Sequence, residues 1–154
     1  MEHIVKSVTV AATPESVFPL ISLPKYAAQI IPGLTQVRDV EQLSMRGWRY
    51  HWTREFLGAY FEGTTRMTVE AFAHQLTVRT TGGLACNEVW TLEADGDNTH
   101  VTLTCDFVLP MPLMHKRALG DIREGLEREA EQQLANLRAL VEAEKAHTDE
   151  RQAQ

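Results

Sequence analysis

The chain has 154 residues, of which 44% are hydrophobic, and it carries a net charge of −6. This length and composition predict one domain with a single core, and the negative charge disfavours a nucleic-acid partner. Apolar runs stay well short of the roughly 18 residues that span a bilayer, so an integral membrane protein is not indicated. The first residues read as a strand rather than a signal peptide, which predicts a cytoplasmic protein.

The residue types that bind metals or cofactors do not fall into recognisable motifs. Cys86 and Cys105 belong to no CxxC pair, and the six histidines show no HxxxH or HExxH spacing. Glycine-rich phosphate-binding motifs and a GxSxG nucleophile motif are missing as well. We therefore expect no metal, no cofactor and no catalytic signature, with both thiols buried and reduced as small hydrophobic groups.

The first part of the chain predicts one strand followed by two short helices. Residues 3–11 alternate in the manner of a strand. The Thr-Pro-Glu sequence at 13–15 predicts a helix start, and Pro19 keeps that helix short. A second short helix is predicted at 25–31, before the Pro-Gly pair that follows.

The middle of the chain predicts an antiparallel meander. Turn signals separate six strand-like runs, and the strongest signal is the Asp-Gly-Asp-Asn sequence at 95–98. Connections this short join neighbouring antiparallel strands. The runs lie near residues 34–43, 46–56, 59–72, 75–81, 85–94 and 99–109.

The last long segment, from Leu113 to Ala146, predicts one amphipathic helix with a length on the order of 50 Å. Its apolar positions fall three and four residues apart on one face, which a sheet must cover. The result is an α+β architecture, a seven-stranded curved antiparallel sheet around the helix. Residues 1–146 then form one domain, and 147–154 form a frayed polar tail. The apolar positions are Leu119, Ile122, Leu126, Ala130, Leu134, Leu137 and Val141.

Alternation in strand 46–56 places its aromatic side chains on one face, which is predicted to be the inner face. The turn at 57–58 sets the register with the next strand, and a large ring opposite a glycine is a sensible pairing. The predicted pairs are Trp48 with Met67, Tyr50 with Thr65, and Trp52 with Gly63. The inner polar groups predicted in this way are Arg54, Thr65, Thr80, Glu88 and His115.

Charged groups on an inner face need an explanation, because a closed apolar core does not accommodate unpaired charges. Three interpretations stay open for Arg54 and Glu88: solvation at the rim, a structural pair across the sheet, or anchoring of a ligand in a cavity. Gly120 and Gly125 inside the predicted helix favour close approach by a strand or a ligand, and a kink explains them equally well.

Seven local motifs stand out along this order of elements. They are Thr13-Pro14-Glu15-Ser16-Val17-Phe18, Ile31-Pro32-Gly33-Leu34, Gly47-Trp48-Arg49-Tyr50, Leu57-Gly58, Glu88-Val89-Trp90-Thr91-Leu92, Asn98-Thr99-His100-Val101-Thr102-Leu103 and Leu109-Pro110-Met111-Pro112. With the element order they resemble the helix-grip fold of the START-like (SRPBCC) superfamily, in particular its polyketide cyclase/dehydrase-like and coenzyme Q-binding-like branches. The resemblance covers roughly residues 3–145, and its motifs are structural rather than catalytic.

The resemblance implies a deep, largely apolar cavity between sheet and helix. Members of the superfamily bind lipids, sterols, polyketides, quinones or hormones there, and some catalyse cyclisation or dehydration. The implied polar anchors are Arg54, Glu88 and His115. The implied wall consists of Trp48, Tyr50, Trp52, Phe61, Thr65, Met67, Val78, Trp90 and Leu103 from the strands, with Leu119, Ile122 and Leu126 from the helix.

Two functions follow as competing hypotheses. The first is a binding or carrier protein for a hydrophobic small molecule, because an aromatic-lined inner face with few polar groups is typical of ligand pockets. The second is a polyketide cyclase or dehydratase in which Arg54 stabilises an enolate oxygen while Glu88 or His115 moves protons. An interaction module on ribosomal RNA finds no support in the acidic charge. A homodimer through a sheet edge or a helix is left open.

Overall fold

The computed structural model of the protein describes residues 2–153. Seven strands precede a long C-terminal helix, and short helices lie after the first strand and after the last. The strands are β1 (Glu2–Val10), β2 (Leu34–Ser44), β3 (Gly47–Phe56), β4 (Ala59–Ala71), β5 (Gln75–Gly82), β6 (Cys86–Asp95) and β7 (Asn98–Phe107). The helices are α1 (Pro14–Ser22), α2 (Ala27–Ile30), α3 (Met111–Met114) and α4 (Leu119–Ala153), with a 3-10 turn at Pro24–Tyr26.

The strands form one antiparallel sheet in the order β1-β7-β6-β5-β4-β3-β2. Strands β2 to β7 follow one another as a meander, and β1 closes the order by pairing with β7. The three predicted cross-strand pairs of β3 and β4 are confirmed, including Trp52 opposite Gly63. This is the α+β helix-grip architecture that the element order predicts: a curved sheet packed on α4.

Helix α4 buries the predicted apolar stripe except for its first position, Leu119, which is exposed. Its side chains at Ile122, Leu126, Ala130, Leu134, Leu137 and Val141 are all buried. Burial on this face and charge on the opposite face are the pattern of an amphipathic helix that is stabilised by packing against the sheet. Beyond Val141 the side chains described are exposed.

The long helix begins later than predicted. The sequence predicts a start at Leu113, whereas the chain forms the separate short helix α3, turns, and begins α4 at Leu119. The break follows from anchoring: Leu113 is buried, and its carbonyl accepts the amides of Lys116 and Arg117 and ends the first helix. Ala118 then accepts the first amides of α4. Residues 115–118 are acceptable helix formers, so periodicity alone does not detect this break.

The C-terminal end of α4 also differs from the prediction. The helix continues to Ala153, past the predicted end at Ala146, and Gln154 lies outside the described residues. The division of the chain into a domain and a frayed tail stays a prediction. Among residues 2–153, no helix combines the length and the apolar character needed to cross a bilayer.

Candidate functional site

A small internal cavity lies between the sheet and helix α4. Its volume is about 40 Å³, and a second space of about 30 Å³ adjoins it on the side of α1 and α2. Glu88 and Gln133 line both spaces, so they stand at the boundary between two chambers. The first chamber is lined by Ile31, Leu34, Tyr50, Trp52, Arg54, Phe56, Thr65, Val78, Thr80, Leu84, Cys86, Glu88, Phe107, Leu126, Glu129 and Gln133.

The charged group on one wall of the first chamber is an ion pair between sheet and helix. Arg54 on β3 donates from Nη2 to Glu129 Oε1 on α4 at 2.6 Å and to the Pro32 carbonyl at 2.9 Å. The two side chains are only 14% and 13% exposed. Of the predicted alternatives, Arg54 therefore forms a structural pair, but with a residue of the helix rather than with Glu88. Arg54 Nε and Glu129 Oε2 are buried without a hydrogen-bond partner among residues 2–153.

Glu88 occupies the other polar position, on β6. Its carboxyl group accepts a hydrogen bond from Trp90 Nε1 at 3.3 Å and a weaker one from Cys86 Sγ at 3.8 Å. Burial raises the pKa of Glu88, against the opposing effects of the Trp90 hydrogen bond, Arg54 and Gln133. Arg54 is the cation whose charge acts on Glu88, but it forms its ion pair with Glu129. Glu88 is therefore enclosed without an ion-pair partner among residues 2–153. The enclosure favours its neutral acid form.

The carboxyl group of Glu129 differs in its neighbours. Burial also raises the pKa of Glu129, but the charge of Arg54 and its hydrogen bond act in the opposite direction. The ion pair therefore compensates the carboxylate of Glu129 directly. The two buried acids of the cavity have different environments, one paired and one enclosed, which is the arrangement that separates their proton affinities.

The aromatic wall of the chamber depends on a glycine. A Cβ at Gly63 would lie 2.4 Å from the Trp52 ring, so this close packing requires glycine on β4. Trp52 is buried, and its Nε1 donor has no hydrogen-bond partner in the described part of the chain. Burial raises the pKa of the neighbouring Tyr50. The Thr65 and Thr80 hydroxyls, also on the inner face, hydrogen-bond to each other at 3.0 Å.

A further feature is the placement of the metal-ligating and thiol side chains. Within residues 2–153, no three His, Cys, Asp or Glu side chains come close enough together to hold a metal ion. Cys86 and Cys105 are buried and unpaired with each other. Burial raises the pKa of both thiols, which keeps them protonated and poorly nucleophilic.

An outer depression of about 290 Å³ lies on the far side of the ion pair. It is lined by the loop at Pro32, the turn at Leu57 and the first half of α4, and it shares Phe56 and Glu129 with the internal cavity. A Cβ at Gly125 would lie 3.2 Å from the Leu57 side chain, so this glycine permits the turn to approach the helix. The wall between depression and cavity is therefore formed by Phe56 and Glu129, with Arg54 bound to Glu129 on the cavity side.

The structure brings together only part of the predicted site. Tyr50, Trp52, Arg54, Thr65, Val78, Glu88 and Leu126 line the first chamber, and Met67 and Trp90 line the second. Phe61, Leu103 and Ile122 are buried but line neither chamber.

Three further predicted site residues also line neither chamber, and they are not buried in the core. Trp48 lines an outer groove with Val37, Val40 and the 3-10 turn, although its cross-strand partner Met67 lines the second chamber. His115 and Leu119 are exposed, because the chain breaks between α3 and α4 and turns them toward solvent. The break before α4 accounts for the outward position of His115 and Leu119 only, and the assignment of the three residues as ligand contacts stays a prediction.

Two polar residues of the helix are missing from the predicted site. Glu129 and Gln133 lie one helical turn apart and face the cavity, and Gln133 is 3% exposed. The signal is present in the sequence: positions 126, 129, 130 and 133 follow the same three- and four-residue spacing as the buried stripe. The signal is masked because Glu127, Arg128 and Glu131 surround these residues with ordinary surface charges.

Solved structures with the same fold come from several bacteria. A Thermus thermophilus protein is 16% identical with a TM-score of 0.80, and the match covers 92% of this chain and 98% of that chain. An aromatase/cyclase from a Streptomyces species is 21% identical with a TM-score of 0.72, covering 92% and 93%. A START superfamily protein from Mycobacterium smegmatis is 18% identical with a TM-score of 0.70, covering 92% and 97%.

The sequence itself also identifies a family. No curated protein sequence matches the chain. The family model described as "Polyketide cyclase / dehydrase and lipid transport" matches residues 1–142, which is most of the chain. The matched span contains the whole sheet and the part of α4 that faces the cavity. The chain belongs to the polyketide cyclase/dehydrase and lipid transport family.

Proposed function

We propose that the protein binds a hydrophobic small molecule that carries oxygen groups, in the cavity between the sheet and helix α4. The observation that carries the proposal is the coincidence of empty space and unused polar atoms. Within the part of the chain that the structure describes, Trp52 Nε1 and Arg54 Nε are buried donors without partners, and Glu129 Oε2 is a buried acceptor without one. Leaving such groups unpaired costs about 1–3 kcal/mol each, and a bound ligand oxygen would remove part of that cost.

The chemistry of the wall supports a mainly apolar ligand. Aromatic and aliphatic side chains make up most of the first chamber, and its charged groups are the Arg54–Glu129 pair and Glu88, with the hydroxyls of Thr65 and Thr80 and the amide of Gln133 as neutral polar groups. Pockets of this composition bind the apolar body of a ligand by burial and orient it by a few hydrogen bonds. A phenol, a ketone or a quinone has the required combination of an apolar ring and an oxygen acceptor.

The size of the cavity requires that the wall moves on binding. About 40 Å³ holds a few water molecules rather than an aromatic ligand. Glu129 lies between the cavity and the outer depression, and its ion pair with Arg54 rests on three separate segments: β3, the loop at Pro32 and α4. Displacement of this pair would join the depression to the cavity.

The test is a calorimetric titration with 2-naphthol, a flat apolar probe with one hydroxyl group. Trp52→Phe removes the indole donor, so we expect roughly fivefold weaker binding, the effect of about 1 kcal/mol of hydrogen bonding. Trp48→Phe makes the same change in the outer groove and is the matched control, with binding unchanged. Native mass spectrometry of gently purified protein would identify any ligand retained from the host.

Three results would contradict the proposal. The first is a wild-type protein that takes up no 2-naphthol and retains no ligand. The second is loss of binding in Trp48→Phe with Trp52→Phe unaffected, which would place the site in the outer groove. The third is an equal loss of 2-naphthol binding in both variants. Thermal melting is expected to show both variants folded, so unfolding would not explain such a result.

A second candidate, an enzyme of the cyclase or dehydratase type, is favoured by the state of Glu88. A buried acid with a raised pKa can give a proton to a substrate oxygen and take one back from carbon. Arg54 lines the same chamber and is a cation for a developing enolate. Deuterium exchange at the central carbon of benzoylacetone, accelerated by wild type but not by Glu88→Gln, supports this candidate. No acceleration by wild type removes it and leaves the binding function.

A further inference from the structure

The connector from β7 to α4, residues 108–119, carries a cluster of exposed apolar side chains. Val108, Met111, Met114 and Leu119 are between 40% and 63% exposed. The buried side chain of Leu113 fixes this segment to the core, so the outward position of its neighbours is set by the fold. Single exposed apolar residues are ordinary, whereas several together on one short segment mark an interaction surface.

The same segment is basic in an acidic protein. The chain carries a net charge of −6 with 21 acidic residues, yet none of them falls between Phe107 and Gly120. His115, Lys116 and Arg117 follow one another there, and all three are exposed. Among residues 2–153, neither Lys116 nor Arg117 forms an ion pair, whereas the nearby Arg123 is bound to Glu2.

We propose that residues 108–119 form a docking surface for an anionic lipid membrane. Exposed methionines and leucine beside unpaired basic side chains fit the boundary between acyl chains and negatively charged headgroups. An acidic partner protein would pair with the basic side chains of this surface, but it would leave the four exposed apolar side chains unexplained. A membrane uses both parts of the surface, and it requires no helix that spans the bilayer.

The position of this surface agrees with a role in ligand exchange, a point that rests on the proposed function. Arg117 Nη2 lies 3.7 Å from the place of a Cβ on Gly58, so the connector touches the β3–β4 turn. Leu57 of that turn lines the outer depression, and the wall at Glu129 separates this depression from the cavity. A hydrophobic ligand released from the bilayer would reach the wall with little exposure to water.

The experiment is flotation with phosphatidylcholine vesicles that contain or lack phosphatidylglycerol. We expect wild type to bind the anionic vesicles and to lose binding in high salt. The double substitution Lys116→Glu and Arg117→Glu should weaken binding by at least roughly thirtyfold, at about 1 kcal/mol for each basic residue lost. Met111→Ser with Met114→Ser should weaken it at least roughly tenfold through lost apolar burial.

The controls use the opposite end of the sheet. Met45 is almost fully exposed in the turn before β3, and Arg46 follows it. Met45→Ser and Arg46→Glu repeat the two chemical changes there and should leave vesicle binding unchanged. All substituted side chains are exposed, so melting temperatures should stay near that of wild type.

Each remaining outcome overturns the proposal. Wild type that fails to float with anionic vesicles has no membrane surface, even if the cavity binds 2-naphthol, so this failure is distinct from failure of the cavity function. If the Met45 and Arg46 variants lose as much vesicle binding as the variants of residues 108–119, the interaction depends on the charge and hydrophobicity of the whole protein and not on this surface. If wild type is retained on immobilised polyglutamate but does not float with anionic vesicles, the partner of this surface is an acidic protein and not a membrane.

Discussion

The two halves of the interior use the same helix for different purposes. In the C-terminal half, Leu134, Leu137 and Val141 are buried where α1 packs against α4. A buried polar group at this end, Thr99, donates to the Ala12 carbonyl at 2.7 Å. In the N-terminal half, the helix presents Glu129 and Gln133 to a cavity.

The two halves differ in whether their buried polar atoms have hydrogen-bond partners, and not in how deeply those atoms are buried. Thr99 and Glu129 Oε2 are both out of contact with solvent, but only Thr99 has a hydrogen-bond partner. Buried polar atoms that are satisfied contribute to a closed core, whereas unsatisfied ones beside empty space are costly unless something binds them. We therefore interpret the C-terminal half as the scaffold and the N-terminal half as the site.

The largest expected effect separates the two halves with a matched pair of Leu→Ala substitutions. Leu137→Ala should lower the free energy of unfolding by about 2–5 kcal/mol, because it opens a void in a closed core. Leu126→Ala borders an existing cavity, so it should cost less, and the enlarged cavity should bind 2-naphthol at least as well as wild type. Urea denaturation measures both. Equal costs, or lost ligand binding in Leu126→Ala alone, would contradict the division into scaffold and site.

The ion pair at the wall should show the next largest effect. Arg54→Met leaves Glu129 nearly buried without its cation, which should cost about 2 kcal/mol at neutral pH, below the range for fully buried pairs. Arg49→Met on the same strand breaks the exposed pair with Glu41 and should cost less than about 0.5 kcal/mol. Adding Glu129→Leu to Arg54→Met should recover most of the loss, since it removes the unpaired carboxylate. Denaturation of the double variant decides this, and purely additive costs would mean that the two groups do not act as a pair.

The scaffold was predictable from the sequence to a greater extent than the site. The aromatic alternation of β3 and the short turn after it determine the register, and the Trp52–Gly63 pair confirms it. The apolar stripe of α4 likewise predicts the buried face. These features repeat along the chain, so each residue reinforces the others.

The site depends on single side chains whose surroundings come from distant segments. The inward position of Arg54 follows from alternation, but its choice of Glu129 over Glu88 depends on how α4 lies across the sheet. The position of His115 depends on the break before α4, which leaves no periodic signal. Contacts between elements that are far apart in sequence are the part that local patterns do not specify.

The smallest expected effect is a pH dependence that distinguishes Glu88 within the site half. Burial raises its pKa above the ordinary value of 4.5, so the folded protein binds the Glu88 proton more tightly than the unfolded chain. The stabilising contribution is complete below pH 4.5 and is lost as the pH rises through the raised pKa. Glutamine is neutral throughout, so Glu88→Gln should gain stability relative to wild type as the pH rises. Glu129 is present in both proteins and cancels.

Melting temperatures of Glu88→Gln and wild type, compared from pH 4.5 to neutral pH, measure this difference directly. Glu93→Gln, at an exposed position of the same strand, is the control for loss of one negative charge. A difference that stays constant with pH would mean that the Glu88 proton is not held by the fold. In that case Glu88 would lose its place as the proton donor of the enzyme candidate, while the hydrogen-bonding role of the Trp52 and Arg54 side would stand.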